Sequence, residues 1–172
     1  MEKDELFRRI YSASHLTGYF TLRSGKTSTE YFDKYLFESD PLLLSEIARH
    51  LYEIIPEGTQ VLAGLELGGI PLATALSLES GIPAAYVRKK AKGYGTKNLA
   101  EGVDVRDKTV CLVADVTTTG GQIMESAVAL RELGAKVEHV LCVILRDEIA
   151  IDRMKEIGLE LHYLFLMKQQ EE

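Results

Sequence analysis

The chain has 172 residues, 46% hydrophobic and 27% charged, the size and composition of one globular domain with its own core. Its formal charge of −6 argues against a nucleic-acid platform. No apolar run is long enough to span a bilayer, and the opening "MEKDELFRRI" is charged and amphipathic, unlike a signal peptide, so a soluble, cytoplasmic chain with no membrane partner is expected. The two cysteines, Cys111 and Cys142, sit inside apolar runs and read as buried hydrophobes of a reducing compartment.

In chain order, Leu6, Phe7, Ile10 and Tyr11 have helical spacing over residues 4–15, and Gly18 is expected to end that unit. Residues 19–37 alternate apolar and polar groups around "SGKTS", which predicts two short strands and a turn. Asp40-Pro41 marks a helix start, and that helix is expected to run to Ile55 before Pro56 and Gly58 stop it. The pattern then alternates. Strands are predicted at 60–65, 84–89, 108–115, 137–145 and 160–167, and helices at 69–80, 119–133 and 148–157. Such alternation implies an α/β fold with a mostly parallel sheet flanked by helices. Ligands in such sheets bind beyond the carboxyl ends of the strands, here after Leu62, Val87, Ala114 and Leu145.

One of those ends is chemically dense. "VCLVADVTTTGGQ" passes from an apolar run through Asp115 and Val116 to Thr117, Thr118, Thr119, Gly120, Gly121 and Gln122. Glycines let backbone N–H groups converge on an anion, the following helix points its positive end there, and the threonines add hydroxyl donors. No Lys follows the glycines, so this is not a Walker A loop. A carboxylate in a phosphate cradle suits a ligand that also carries hydroxyls, as a sugar phosphate does. The local alternative is a helix start capped by threonine.

An apolar strand, an acid and then "VTTTGG" resembles the phosphoribosyl-diphosphate (PRPP) signature of type I phosphoribosyltransferases. Three further stretches narrow the resemblance to the orotate phosphoribosyltransferases. "FTLRSGKTSTEYFD" resembles their N-terminal hood and "AGLELGGIPLATALS" their pyrophosphate-side loop and helix. "VRKKAKGYGTKNLAEG" resembles their catalytic loop, and Arg146 in "LRD" the Arg that meets the orotate carboxylate. The chain departs from the pattern at Ala114, where the first of two adjacent acids is usual, at Tyr94, where some members carry His, and at Leu145, where Asp is usual.

The resemblance implies a single phosphoribosyltransferase domain over 1–172, with a hood formed mainly by 1–38 and the C-terminal segment. It implies transfer of ribose 5-phosphate from PRPP to orotate, giving orotidine 5′-phosphate and pyrophosphate in UMP biosynthesis. The alternatives are a purine-base transferase or a non-catalytic PRPP-binding regulator. Residues 117–122 would hold the 5-phosphate, Asp115 would orient the ribose, and Val116 would join the PRPP contacts. Arg88, Lys89, Lys92 and Tyr94 would meet the diphosphate, with Lys90 and Lys97 in the same cationic, glycine-bearing loop. A solvated basic hairpin is the plainer reading of that loop. Lys26, Thr118 and Arg146 would meet orotate, while on their own Lys26 also reads as a solvated turn lysine and Arg146 as half of a surface salt bridge. Lys92, Lys26 and Asp115 are the expected catalytic groups. Mg²⁺ would be bound through PRPP rather than by protein ligands. A homodimer sharing its catalytic loop across the interface completes the expectation.

Overall fold

A computed structural model of the chain describes residues 1–96 and 98–167. The α/β expectation holds: a six-stranded sheet in the order β5-β4-β3-β6-β7-β8 lies between two layers of helices. Its strands are β3 (Val61–Leu65), β4 (Ala84–Val87), β5 (Ala100–Gly102), β6 (Thr109–Thr117), β7 (Lys136–Leu145) and β8 (Glu160–Leu166). All neighbours pair parallel except β4 and β5. A separate antiparallel hairpin, β1 (His15–Thr21) with β2 (Thr27–Phe32), stands off the sheet.

Strand alternation divides the core. On β6, Val110, Leu112 and Ala114 face α5 (Gly121–Glu132) and α6 (Ile149–Glu156), packing with Ile123, Leu130 and Met154. Cys111 and Val113 face the other layer: α1 (Lys3–Ser14), α2 (Lys34–Ser39), α3 (Pro41–Tyr52) and α4 (Gly69–Ser80). Leu6 and Ile10 of α1 are fully buried in that second core beside Leu164 and Phe165, so α1 covers the sheet and only the hairpin projects. Both cysteines are buried and free. Among the described residues no helix is long and apolar enough to cross a membrane.

The structure corrects several boundaries. Gly18 lies inside β1, at an irregularity in the pairing with β2, rather than ending a unit. Residues 34–39 form α2, not strand: the Asp33 carboxylate accepts the Tyr35 N–H at 3.1 Å and starts a helix too short to show periodicity. The α3 helix stops at Tyr52, and β4 stops at Val87. The three-residue β5 gave no alternation to read. At the site, β6 continues two residues past the predicted end at Asp115, taking Val116 and Thr117 into the strand.

Because Phe37 anchors α2 in the second core at 0% exposure, Phe37→Ala is expected to cost about 3–5 kcal/mol in chemical denaturation. A loss below ~1 kcal/mol would mean that α2 is not part of that core.

Candidate active site

The carboxyl ends of β3, β4 and β6 open into a cavity of about 780 Å³. Ala114, Asp115, Val116, Thr117, Thr118, Thr119, Gly120, Gly121 and Gln122 all line it. The chain turns into α5 at Gly120, which has φ 76°. That left-handed conformation is what requires glycine; the Met154 side chain that a β-carbon would meet is flexible and can give way. The α5 N-terminus therefore opens on the cavity with its unpaired N–H groups, an arrangement that favours an anion. The Gln122 side-chain amide donates to the Glu66 carbonyl at 3.5 Å and ties this loop to the one after β3.

Asp115 is buried and heavily engaged. Its Oδ2 lies 2.7 Å from Lys34 Nζ, and its Oδ1 accepts the Val116 N–H at 2.6 Å. Glu38, also buried, meets it from α2. A β-carbon on Gly68 would fall 1.8 Å from Asp115 Oδ2 and 2.6 Å from Glu38 Oε1, so only glycine at 68 leaves room for the two carboxyls. Its neighbour Gly69 packs directly on the Val113 carbonyl. The paired glycines of "LELGGIP" are thus required by close packing of the α4 start on β6.

Electrostatics follow from this crowding. Burial, the negative charge of Asp115 and a hydrogen bond to it push the Glu38 carboxyl up to about 8, with Lys34 partly offsetting. Burial alone would lower the Lys34 ammonium, but the hydrogen bond and charge of Asp115 outweigh it and its pKa is raised. The cluster is a Lys34–Asp115 ion pair with Glu38 beside it, its carboxyl shifted toward the protonated form.

Cations form the opposite wall. Arg88, Lys89 and Lys90 line the cavity together with Arg23 and Lys34. The Lys89 N–H donates to the Glu66 carboxylate. Arg88 Nε and Lys92 Nζ both reach Glu101 Oε1 on β5, at 3.3 and 2.6 Å. The hydrogen bond from Lys92 is the main reason the Glu101 carboxyl is held below its usual range; burial opposes it, and the hydrogen bond from Arg88 adds to it.

The remaining candidates lie elsewhere. Lys92 and Tyr94 do not line the cavity; Tyr94 is exposed, with Lys92 Nζ 5.9 Å from its ring centroid. Lys97 lies outside the described residues. Lys26 sits exposed at the hairpin turn, away from the cavity lining. Arg146 is half-buried, its guanidinium 5.9 Å over the Phe32 ring of β2, its Nε without a partner, and its backbone N–H donating to the Thr117 carbonyl at 2.8 Å. Burial lowers its pKa. Arg23, Lys34, Glu38, Glu66 and Glu101 were not singled out from the sequence. Arg23 lines the cavity, and the other four act through partners elsewhere in the chain; the only local signal was the acid-and-base pattern of "FDKYLFESD".

Residues 37–161 match the family model described as a phosphoribosyl transferase domain. Over 151 residues the chain is 53% identical to an orotate phosphoribosyltransferase of Nocardioides sp., covering 88% of this chain and 84% of that protein. A crystal structure of Mycobacterium tuberculosis H37Rv orotate phosphoribosyltransferase in complex with Fe(III) dicitrate superposes with a TM-score of 0.84 at 29% identity, covering 95% of each chain. A structure of the same enzyme in complex with PRPP gives 0.77 at 25% identity, covering 95% of this chain and 88% of that one.

Glu38 makes stability pH-dependent. Its carboxyl is raised from an ordinary 4.5 to about 8, so between those values the folded protein holds a proton that the unfolded chain releases. Stability should therefore fall as pH rises from about 4.5 to about 8. Glu38→Gln keeps a donor toward Asp115 and removes the titration. Chemical denaturation across pH should show the variant gaining on the wild type through that window; parallel curves would refute the assignment.

Proposed function

This chain belongs to the orotate phosphoribosyltransferases of the phosphoribosyltransferase family, and from that premise we propose how its own residues carry the reaction. It transfers the ribose 5-phosphate of PRPP to orotate, forming orotidine 5′-phosphate and pyrophosphate, a step of pyrimidine biosynthesis. The observation that carries the residue assignment is one cavity in which an amide-and-hydroxyl cradle, a buried carboxylate and a cationic wall face one another.

Residues 117–122 hold the 5-phosphate through backbone N–H groups, threonine hydroxyls and the positive end of α5. Asp115 accepts from the ribose hydroxyls, which exchange with the Lys34 ammonium now resting on it. Arg88 and Lys89, with Val116 below them, take the diphosphate side. Orotate lies beneath the hairpin, its carboxylate on the Arg146 guanidinium, whose buried Nε has no partner of its own. Thr118 and Lys26 donate to the base. The orotate ring nitrogen attacks the anomeric carbon as the bond to pyrophosphate breaks, and positive charge builds on the sugar. Cationic side chains meet the growing charge of the leaving group where water is excluded.

Mg²⁺ would be carried on PRPP oxygens and would supply charge neutralisation. A homodimer with an exchanged loop is supported by Lys92 and Tyr94, which lie outside the cavity of their own chain. Glu101 holds Lys92 meanwhile, and an incoming diphosphate replaces it. A cytoplasmic setting is supported by two buried, free cysteines.

Orotate absorbance is expected to fall only when orotate, PRPP and Mg²⁺ are all present; consumption without PRPP, or none at all, overturns the reading. Lys92→Ala and Asp115→Ala should each lose most turnover while staying folded. Mixed and re-equilibrated, the two variants should recover part of it, because one site of each mixed dimer then has both residues. No recovery would place Lys92 in its own chain's site or outside catalysis.

A further inference from the structure

At the far end of the sheet, three side chains with metal-ligating atoms converge. His139 stands on β7, and Glu160 and His162 on its neighbour β8. The parallel register aligns His139 with Glu160 and Leu141 with His162, and the two-residue strand period puts Glu160 and His162 on one face. His139 Nδ1 lies 3.1 Å from His162 Nε2 and 3.6 Å from Glu160 Oε2. One donor atom from each of the three lies within 4.8 Å of the others.

These distances suit a shared ion. Metal–nitrogen and metal–oxygen bonds of about 2.0–2.2 Å set neighbouring ligand atoms roughly 3–3.5 Å apart. A histidine–histidine hydrogen bond and a His139–Glu160 ion pair would account for these contacts one pair at a time, whereas a shared ion accounts for all three donors at once. Two imidazoles and one carboxylate form a ligand set for late first-row divalent ions, and Glu160 is exposed, so an ion has a way in. Mg²⁺, a hard ion that prefers oxygen, is a poor match.

We propose that His139, Glu160 and His162 form a binding site for a late first-row divalent cation, Zn²⁺ being the type ion, and that the bound ion pins the edge strand β8 to β7. The role is structural. Only β7 pairs with β8 in the sheet, so a cross-link here holds the edge. The substrate cavity lies beyond the opposite ends of the strands; the run from His139 to Leu145 alone separates the two by roughly 20 Å.

The test uses the full chain, treated with EDTA and then titrated with Zn²⁺ by calorimetry and followed by thermal melting. One Zn²⁺ per chain is expected, with a rise in Tm that EDTA reverses and that Mg²⁺ does not reproduce. His139→Ala and His162→Ala should each weaken binding at least ~10-fold. In wild-type protein, sub-stoichiometric Co²⁺ should shift or broaden the imidazole resonances of His139 and His162 before those of His15 and His50, which decides the matter even if a variant fails to fold. Absence of Zn²⁺ binding, affinity unchanged in both variants, or a first response at His15 or His50 would each overturn the proposal.

Discussion

The constraint on which the rest of the site depends is a charged carboxylate at the end of a buried strand. Asp115 is 6% exposed, and a carboxylate removed from water is costly unless paired and hydrogen-bonded. Each neighbour answers that cost. The Lys34 ammonium supplies the counter-charge, the Val116 N–H a donor, and Glu38 gives up its own charge and keeps a proton. Gly68 contributes by having no side chain, since any β-carbon there would occupy the space of the carboxylate. Residues from α2, the α4 start and β6 are fixed relative to one another because they share this one charge.

The same logic organises the cationic wall. In the folded chain the basic residues that follow β4 are held by carboxylates: Arg88 and Lys92 by Glu101, and the Lys89 backbone by Glu66. Such pairs at a half-exposed surface are worth little individually. They are therefore readily exchanged for a more highly charged ligand. A diphosphate offers several oxygens where Glu101 offers one, so the resting contacts keep the loop ordered without competing strongly against substrate. The expected pattern is a site neutralised by its own acids when empty and by its ligand when full.

This also explains which parts were legible in the sequence. The strand and loop from Thr109 to Gln122 announce themselves because apolar run, acid, threonines and glycines are consecutive, and the structure places residues 114–122 around one cavity. Helices α4 and α5 carry their glycine stops in the chain, and α5 also shows a buried face of Ile123, Ala127 and Leu130. By contrast, α2 has six residues, and only Phe37 and Glu38 among them are buried, so no periodicity could emerge and its residues read as strand. Lys34 and Glu38 gain their roles from Asp115, far along the chain, and Glu101 from Arg88 and Lys92 across the loop before β5, which local spacing does not reveal. The basic loop was visible as composition, but whether a given cation faces its own cavity depends on backbone direction: Arg88 and Lys89 do, and Lys92 does not.

A parallel sheet gives its two ends different chemistry, and this chain uses both. At the carboxyl ends, helix N-termini and turn N–H groups converge, so anions are favoured there and the acid among them needs an elaborate setting. At the amino ends the C-termini of the preceding helices gather, and their partial negative charge favours cations. His139 and His162 occupy that end, on the last two strands of the sheet. The proposed cation site and the proposed PRPP site thus follow one asymmetry, which keeps an imidazole-ligated metal away from the phosphates and leaves the hard ion to arrive with its substrate.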